Sequence, residues 1–187
     1  MEIMTAAAAN EDLRYPLGEF DPGIEITGDR RAEFIETIRF LPEKLAAAVA
    51  GLTDEQLDTP YRPGGWTVRQ TVHHVADSHI NSLCRFKLAL TEENPLIRQY
   101  YEDLWAELAD SRLPIDVSLK ILEGIHRRWT VLLESLTDED FNRKLRHPES
   151  GEWTVGKFLA LYAWHSRHHT AHITSLRERN GWVSQSS

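Results

Sequence analysis

Apolar residues recur at intervals of three and four in four separate stretches of the chain, each separated by Gly- and Pro-bearing connections. Between residues 29 and 49, Phe34, Ile38, Leu41, Leu45 and Val49 fall on one helical stripe. Pro42 interrupts that stripe and predicts a bend or a break. A second helix opens at Thr67, where Gln70 completes a capping box, and continues to about Leu90. After a break at Asn94-Pro95, a short amphipathic piece covers Tyr101 to Leu108. Pro114 precedes a third helix, with Leu122, Ile125, Trp129, Leu132, Leu133 and Leu136 at helical spacing, and Thr154 opens a fourth. Alternation of period two is scarce. The pattern predicts an all-α fold: a four-helix bundle with an extended N-terminal leader and a short additional helix.

The leader carries Pro16, Gly18, Pro22 and Gly23, and its Leu13, Tyr15, Leu17, Phe20, Ile24 and Ile26 can lay an apolar edge over the body. The expected organisation is an extended segment over 1–28, the bundle over 29–180 and a tail over 181–187. An internal repeat supports it. Leu52-Thr53-Asp54-Glu55 recurs as Leu136-Thr137-Asp138-Glu139, and Trp66-Thr67-Val68 recurs as Trp153-Thr154-Val155. Each pair follows an apolar helix and leads into the next, so the second and fourth helices are counterparts that can feed residues into a common core.

Composition narrows the classes. A chain of 187 residues with 41% apolar content suits one domain with a substantial core. A net charge of -8 disfavours a broad nucleic-acid footprint, and no run approaches the length of a membrane span. Met1-Glu2-Ile3-Met4 lacks the basic region of a secretory leader, so the expected setting is cytoplasmic. Cys84 is the single cysteine, which excludes an internal disulfide and a Cys-rich zinc knuckle. Its apolar neighbours predict a buried structural thiol.

Histidine supplies the chemistry. His165, His168, His169 and His172 fall within eight residues. On a helix, His165 and His169 stand one turn apart and can bite one ion; His172 lies near the same stripe, and His168 points elsewhere. On the second helix, Gln70, His74, Asp77 and Asn81 form one polar stripe. Either that stripe is solvated, or it turns inward and a metal on His74 relieves the cost of burial, with Gln70 or Asp77 as orienting neighbours. His73 points about one hundred degrees away from His74, and His79 reads as a surface or packing histidine.

The face of Phe158, Leu161, Tyr162, His165, His169, His172 and Leu176 aims the fourth helix's histidines inward, either as packed, hydrogen-bonded rings or as ligands. Bound imidazoles need a partner on their second nitrogen, for which Asp77, Gln70, Tyr162 and His172 are candidates. Three imidazoles leave an open position, as in a catalytic divalent site. One ion per subunit is expected, zinc first because it needs no redox support, with nickel, cobalt and iron as alternatives. His126, beside Trp129, reads as catalytic or as a core-edge residue. Arg69, Arg85, Arg127 and Arg128 read as anion holders or as solvated side chains, and His147 as a turn residue.

The residues from Tyr15-Pro16-Leu17-Gly18-Glu19 through Leu57-Asp58-Thr59-Pro60-Tyr61-Arg62 and Gly65-Trp66-Thr67-Val68-Arg69-Gln70 form a distinctive series. It continues in His73-His74-Val75-Ala76-Asp77-Ser78-His79, Arg85 to Glu92, Leu161-Tyr162-Ala163-Trp164-His165, His168-His169 and Ala171-His172-Ile173. Together they resemble the YfiT branch of the DinB-like superfamily. The resemblance implies a four-helix bundle holding a divalent metal through one histidine of the second helix and two of the fourth, here His74, His165 and His169. Members are described as metal-dependent hydrolases and as dimers, and related bundles transfer low-molecular-weight thiols such as bacillithiol to electrophiles.

Three functions are therefore expected in turn. The first is a hydrolase that delivers water to a small electrophilic substrate, with His172 or His126 assisting proton transfer. The second is an S-transferase using an external thiol at the same site. The third is a non-enzymatic metal-binding or regulatory protein. A homodimer is expected, with Tyr100, Tyr101, Trp105 and the leader as contacts or as ordinary intrachain packing. No nucleic-acid or membrane partner is expected.

Overall fold

The computed structural model describes residues 13–182. The first twelve residues of the leader and most of the expected tail lie outside the described residues. Four long helices carry the fold: α1 (Gly28–Val49), α3 (Val68–Thr91), α5 (Asp116–Glu134) and α7 (Val155–Asn180). Short helices α2 (Asp54–Leu57), α4 (Glu102–Trp105) and α6 (Asp138–Asn142), with a 3-10 turn at Ala109–Arg112, fill the connections.

Threonine starts most of these helices by the same chemistry. Thr27, Thr53, Thr67, Thr137 and Thr154 each accept a backbone N–H of the first turn. At Thr53, Thr67 and Thr137 the N3 side chain returns a bond to the cap's own N–H. Gly181, at φ 63°, closes α7 in the left-handed conformation that glycine adopts without a Cβ penalty. Pro42, expected to bend or break the first helix, sits inside an α1 that runs unbroken to Val49. Its cost there is one missing N–H, which leaves the carbonyl of Ile38 without its helical donor.

The helix α1 packs on α5 and α7, and α3 packs on the same two. Helices consecutive in the long-helix order, α1 with α3 and α5 with α7, thus sit across the diagonals of the bundle. Connections of this length, each holding a short helix, are what permit such crossings. The repeat seen in sequence is built in: α2 and α6 are its two capped short helices. The first copy then makes a single antiparallel bridge, Pro60 with Thr67. The second, with its longer connection, makes a hairpin of β1 (Lys144–His147) and β2 (Gly151–Thr154). Strands of four residues, in which Leu145 alone is buried, were too short to show as alternation.

The core falls into two apolar clusters. Phe34, Ile38, Phe86, Trp129, Leu133 and Phe158 anchor one. Leu41, Leu45, Val72, Leu122, Ile173 and Leu176 anchor the other. The segments between them, residues 77–82 of α3 and 164–172 of α7, carry a polar layer in which histidine predominates. Trp129, fully buried against His79, Phe86 and Tyr162, seals one side of that layer. Truncating such a ring costs about 3–5 kcal/mol. Cys84 corrects the sequence reading: it is exposed, because one residue of helical rotation past buried Leu83 carries it out of the core.

The leader runs antiparallel to α7. The carbonyl of Arg14 accepts from His172 Nε2, that of Gly18 from Trp164 Nε1, and that of Pro22 from Lys157 Nζ. Phe20, Ile24 and Ile26 pack onto the core, as the apolar edge predicted. Gly156 lets Ile26 approach, since a Cβ there would stand 3.2 Å from its methyl.

Candidate metal centre

A cavity of about 480 Å³ opens between α3, α7, the leader and the loop before α3. His74, on α3, and His165 and His169, one turn apart on α7, line its base. A ring nitrogen from each lies within 4.8 Å of the others. The Nε2 atoms of His74 and His165 are 3.3 Å apart. The adjacent packing of α3 and α7 makes this convergence possible, and the capped starts of both helices fix its register. Aromatic rings wall the cavity. Trp66 leans on His74 at 4.4 Å, Tyr61 stacks on His172 at 3.9 Å, and Trp164 stacks on His168 at 4.3 Å.

Behind His165 runs a chain of histidines. His165 Nδ1 meets His79 Nε2 at 3.1 Å, and His79 Nδ1 meets His126 Nε2 at 2.9 Å. His126 Nδ1 meets the Ile38 carbonyl, the one Pro42 leaves without its helical donor. A carbonyl only accepts, so His126 Nδ1 must donate there and its Nε2 must accept from His79. Neutral His79 then accepts at Nε2 from His165 Nδ1–H. The lone pair of His165 is thereby assigned to Nε2, the atom that faces His74. Each imidazole nitrogen of this chain behind the cavity has a partner.

On the other side of the layer the nitrogens are open. His172 Nε2 donates to the Arg14 carbonyl, which leaves its Nδ1 with the lone pair. The Nδ1 atoms of His168, His169 and His172 are all buried without a hydrogen-bond partner. His168, expected to face away, is buried and brings a nitrogen within 4.8 Å of those of His169 and His172. Two rings explain the difference: Tyr15 of the leader and Trp164 of α7 both pack on His168.

Burial dominates the electrostatics. It pushes His74 down to about 3, with His172 adding a smaller push, and takes His79, His165 and His169 well below their usual value. His126 falls to about 4 by burial, opposed by its bond to Ile38, and His172 falls to about 4 for the same first reason. All are neutral at pH 7, the form that ligates metals.

Several orienting roles read from the sequence are redistributed. Gln70 does not touch His74: its Oε1 caps Thr67 and its Nε2 donates to the Ala106 carbonyl and Glu107. Asp77 makes no hydrogen bond to any histidine; partial burial, then Asp110, raises it to about 6. Tyr162 meets His165 as a packed ring at 5.5 Å, while its hydroxyl faces Arg85. His126 does not line the cavity; it meets His79 behind it. His79 is the residue the sequence reading missed. The signal available was its apolar setting together with Pro42, four residues beyond Ile38.

The remaining assignments separate cleanly. His73 bonds Ser118 at 2.7 Å and the Leu113 carbonyl at 3.0 Å, away from the cavity. His147 accepts from Glu149 and Ser150 N–H as a turn residue, and also lines the cavity. Arg127 and Arg128 are exposed. Arg69 is held by Asp58 and Asp54 at 2.7 and 2.8 Å.

The diagonal bundle and the histidines it gathers define a class: the chain belongs to the DinB superfamily, whose pattern matches residues 37–173. More narrowly, it is 57% identical over 172 residues to a Bacillus mycoides protein named "putative metal-dependent hydrolase", covering 92% of this chain and 99% of that one. A Bacillus cereus protein of the same name is 57% identical over 171 residues, covering 91% and 99%. The solved structure of YfiT from Bacillus subtilis matches with a TM-score of 0.89 and 51% identity, over 92% of this chain and 99% of that one. YfiT is described as "a probable metal-dependent hydrolase with an unusual four-helix bundle topology". The diagonal order of helices described above accords with that last phrase.

Proposed function

We propose that the cavity is the active site of a hydrolase that holds one divalent ion through His74, His165 and His169 and acts on a small electrophile. The observation that carries this reading is the 3.3 Å separation of the His74 and His165 Nε2 atoms at the cavity base. Two zinc–nitrogen bonds of about 2.0–2.1 Å at a tetrahedral angle span about 3.3 Å, so this pair fits zinc, with a His169 nitrogen within 4.8 Å of both. Nickel, cobalt and iron accept the same ligands. When bound, such an ion supplies a Lewis acid with an open position that acidifies a nucleophile. The similarity to proteins named as metal-dependent hydrolases supports the same assignment.

The chain's own residues do the rest. The His79–His126 line holds the His165 ring so that Nε2 points into the cavity. His172, pinned by the Arg14 carbonyl and stacked on Tyr61, offers the Nδ1 lone pair as proton acceptor. Trp66, Tyr61 and Trp164 keep bulk water from that side. Cys84 does not line the cavity, so thiol chemistry there would require an external thiol; this S-transferase reading is the alternative outcome of the test. The reading also includes a homodimer in the cytoplasm. Exposed Leu96, Tyr101, Leu104 and Leu108 supply an apolar surface for such a contact.

The test is a screen of metal-loaded protein against electrophiles, with and without bacillithiol and simpler thiols, with products identified by mass. Product formed by water alone, lost on metal removal and restored by zinc, is the expected result. A thioether formed only with thiol would replace hydrolysis by S-transfer. Stoichiometric binding without turnover of any electrophile would leave a metal-binding protein.

A further inference from the structure

Three buried arginines of the described chain differ in what neutralises or satisfies them. Arg69 has two aspartates. Arg177 donates to the carbonyls of Ala48 and Ala50. Arg85 lies on the wall of the histidine cavity, 7% exposed, and no carboxylate of the described residues pairs with it. Its Nη2 donates to the Arg98 carbonyl at 2.7 Å and its Nη1 reaches the Tyr162 hydroxyl at a long 3.5 Å. Its Nε is buried with no acceptor. Its planar face lies over Tyr100, with 5.7 Å from guanidinium carbon to ring centroid. A buried charge held by one carbonyl and a ring, with a donor unmet, is costly unless something anionic completes it.

The surroundings agree. Tyr100 and Tyr162 give the pocket two phenol groups beside the guanidinium, and His147, pushed down by burial and then by Arg85, is not charged against it. Arg62 also lines the cavity with a buried Nε that has no partner. The acids on the same lining, Glu102, Asp103 and Glu149, are exposed and none pairs with Arg85. Arg85 stands eleven residues beyond His74 on α3, which returns it to nearly the same face about 16 Å along the axis. The guanidinium reaches back from there, because helical side chains lean toward the N-terminus.

We propose that Arg85 is the anchor for an oxyanion on the substrate: a carboxylate or phosphate at one end of a small molecule whose reacting centre lies against His74, His165 and His169. The proposal rests on the reading of this cavity as the active site. The guanidinium fork matches either oxyanion through two parallel N–H donors, and the phenol of Tyr162 offers a third. Arg85 contributes binding and orientation. The selectivity it confers is against neutral analogues, which leave its donors unmet.

Calorimetric titration of zinc-loaded protein with succinate, inorganic phosphate and neutral succinamide tests this, with zinc content measured in every sample. Succinate or phosphate should bind and succinamide should not; whichever oxyanion binds better identifies the source. Arg85→Gln should weaken the better anion at least tenfold at unchanged zinc content, and Arg85→Lys should fall between. Equal anion affinity in the parent and Arg85→Gln would place the anion on the metal or elsewhere and overturn the proposal. So would the absence of anion binding to the parent, a result that needs no variant to fold. Loss of zinc from the parent histidine set is a separate readout and bears on the metal reading alone.

Discussion

The two sides of the histidine layer make opposite use of the same side chain. On the inner side, His165, His79 and His126 form a closed series ending on a backbone carbonyl. On the cavity side, His168, His169 and His172 each leave Nδ1 buried and unpartnered. A buried polar atom without a partner costs about 1–3 kcal/mol, and three together in one wall are expensive to keep without a ligand. The inner series uses every nitrogen within the protein except His165 Nε2, which faces His74 in the cavity, whereas the open side leaves three ring nitrogens without a partner.

The strongest test of that contrast removes ligands. His74→Ala, His165→Ala and His169→Ala should each weaken zinc retention by about a hundredfold or more, read by competition with a chromophoric chelator. Zinc at a thousand times its dissociation constant stabilises the fold by about 4 kcal/mol. Verified metal removal from the parent should therefore lower the melting temperature, and an unchanged transition would break the link between these rings and a metal.

Next in size is the far end of the inner chain. His126→Ala leaves the Ile38 carbonyl and a donor of His79 unmet beside a void, and should destabilise the metal-free protein by about 2–4 kcal/mol in denaturant unfolding. His168→Ala, on the open side, should cost less than half as much, because its Nδ1 loses no bond. Equal costs would erase the distinction between the two sides.

Acid tests the inner series more gently. Burial holds His126 at about 4 in the folded protein, below the ordinary 6.5 of the unfolded chain. The unfolded state therefore gains a proton first as pH falls. The stability that His126 contributes is present above pH 6.5 and is lost between there and about 4. One such proton changes stability by at most about 1.4 kcal/mol per pH unit. In urea titrations of metal-free protein, His126→Gln should show a shallower fall over that window. Identical slopes would mean that His126 is not held neutral by burial.

The smallest expected effect comes from Pro42→Ala. Alanine restores an N–H to the Ile38 carbonyl and makes it compete with His126 Nδ1. Zinc affinity should fall by about three- to tenfold while helix content is unchanged. A shift of the His165 imidazole 15N signals toward a mixed tautomer would trace the loss along the chain. Unchanged affinity and unchanged signals would show that the chain is held by packing alone.

Much of this could be read from the chain because it was local. The starts of the second and fourth helices followed from Thr67 and Thr154, and the one-turn spacing of His165 and His169 followed from helical geometry. His73, next to His74 in sequence, is bonded to Ser118 and the Leu113 carbonyl in the structure. Roles that depend on which helices face one another were not legible. Gln70 and His74 share a stripe, yet the cap at Thr67 claims Gln70. His79 and His126 lie on different helices and meet only because α3 packs on α5. His168 was placed outside because periodicity knows nothing of a leader lying over α7. Arg69 and Arg85 were alike in sequence, and Asp54 and Asp58 separate them.

The leader's hold on α7 has a consequence for the order in which the protein assembles. The bond from His172 to the Arg14 carbonyl joins residues 158 positions apart, so a segment made early in synthesis must wait for the last helix before it can dock. Contacts of such separation close late, after local helices and their nearer partners have formed. The cavity wall is therefore among the last parts of the molecule to be completed. A growing chain can carry His74 long before it carries a pocket, and the proposed ligand set is complete only once translation has passed His169.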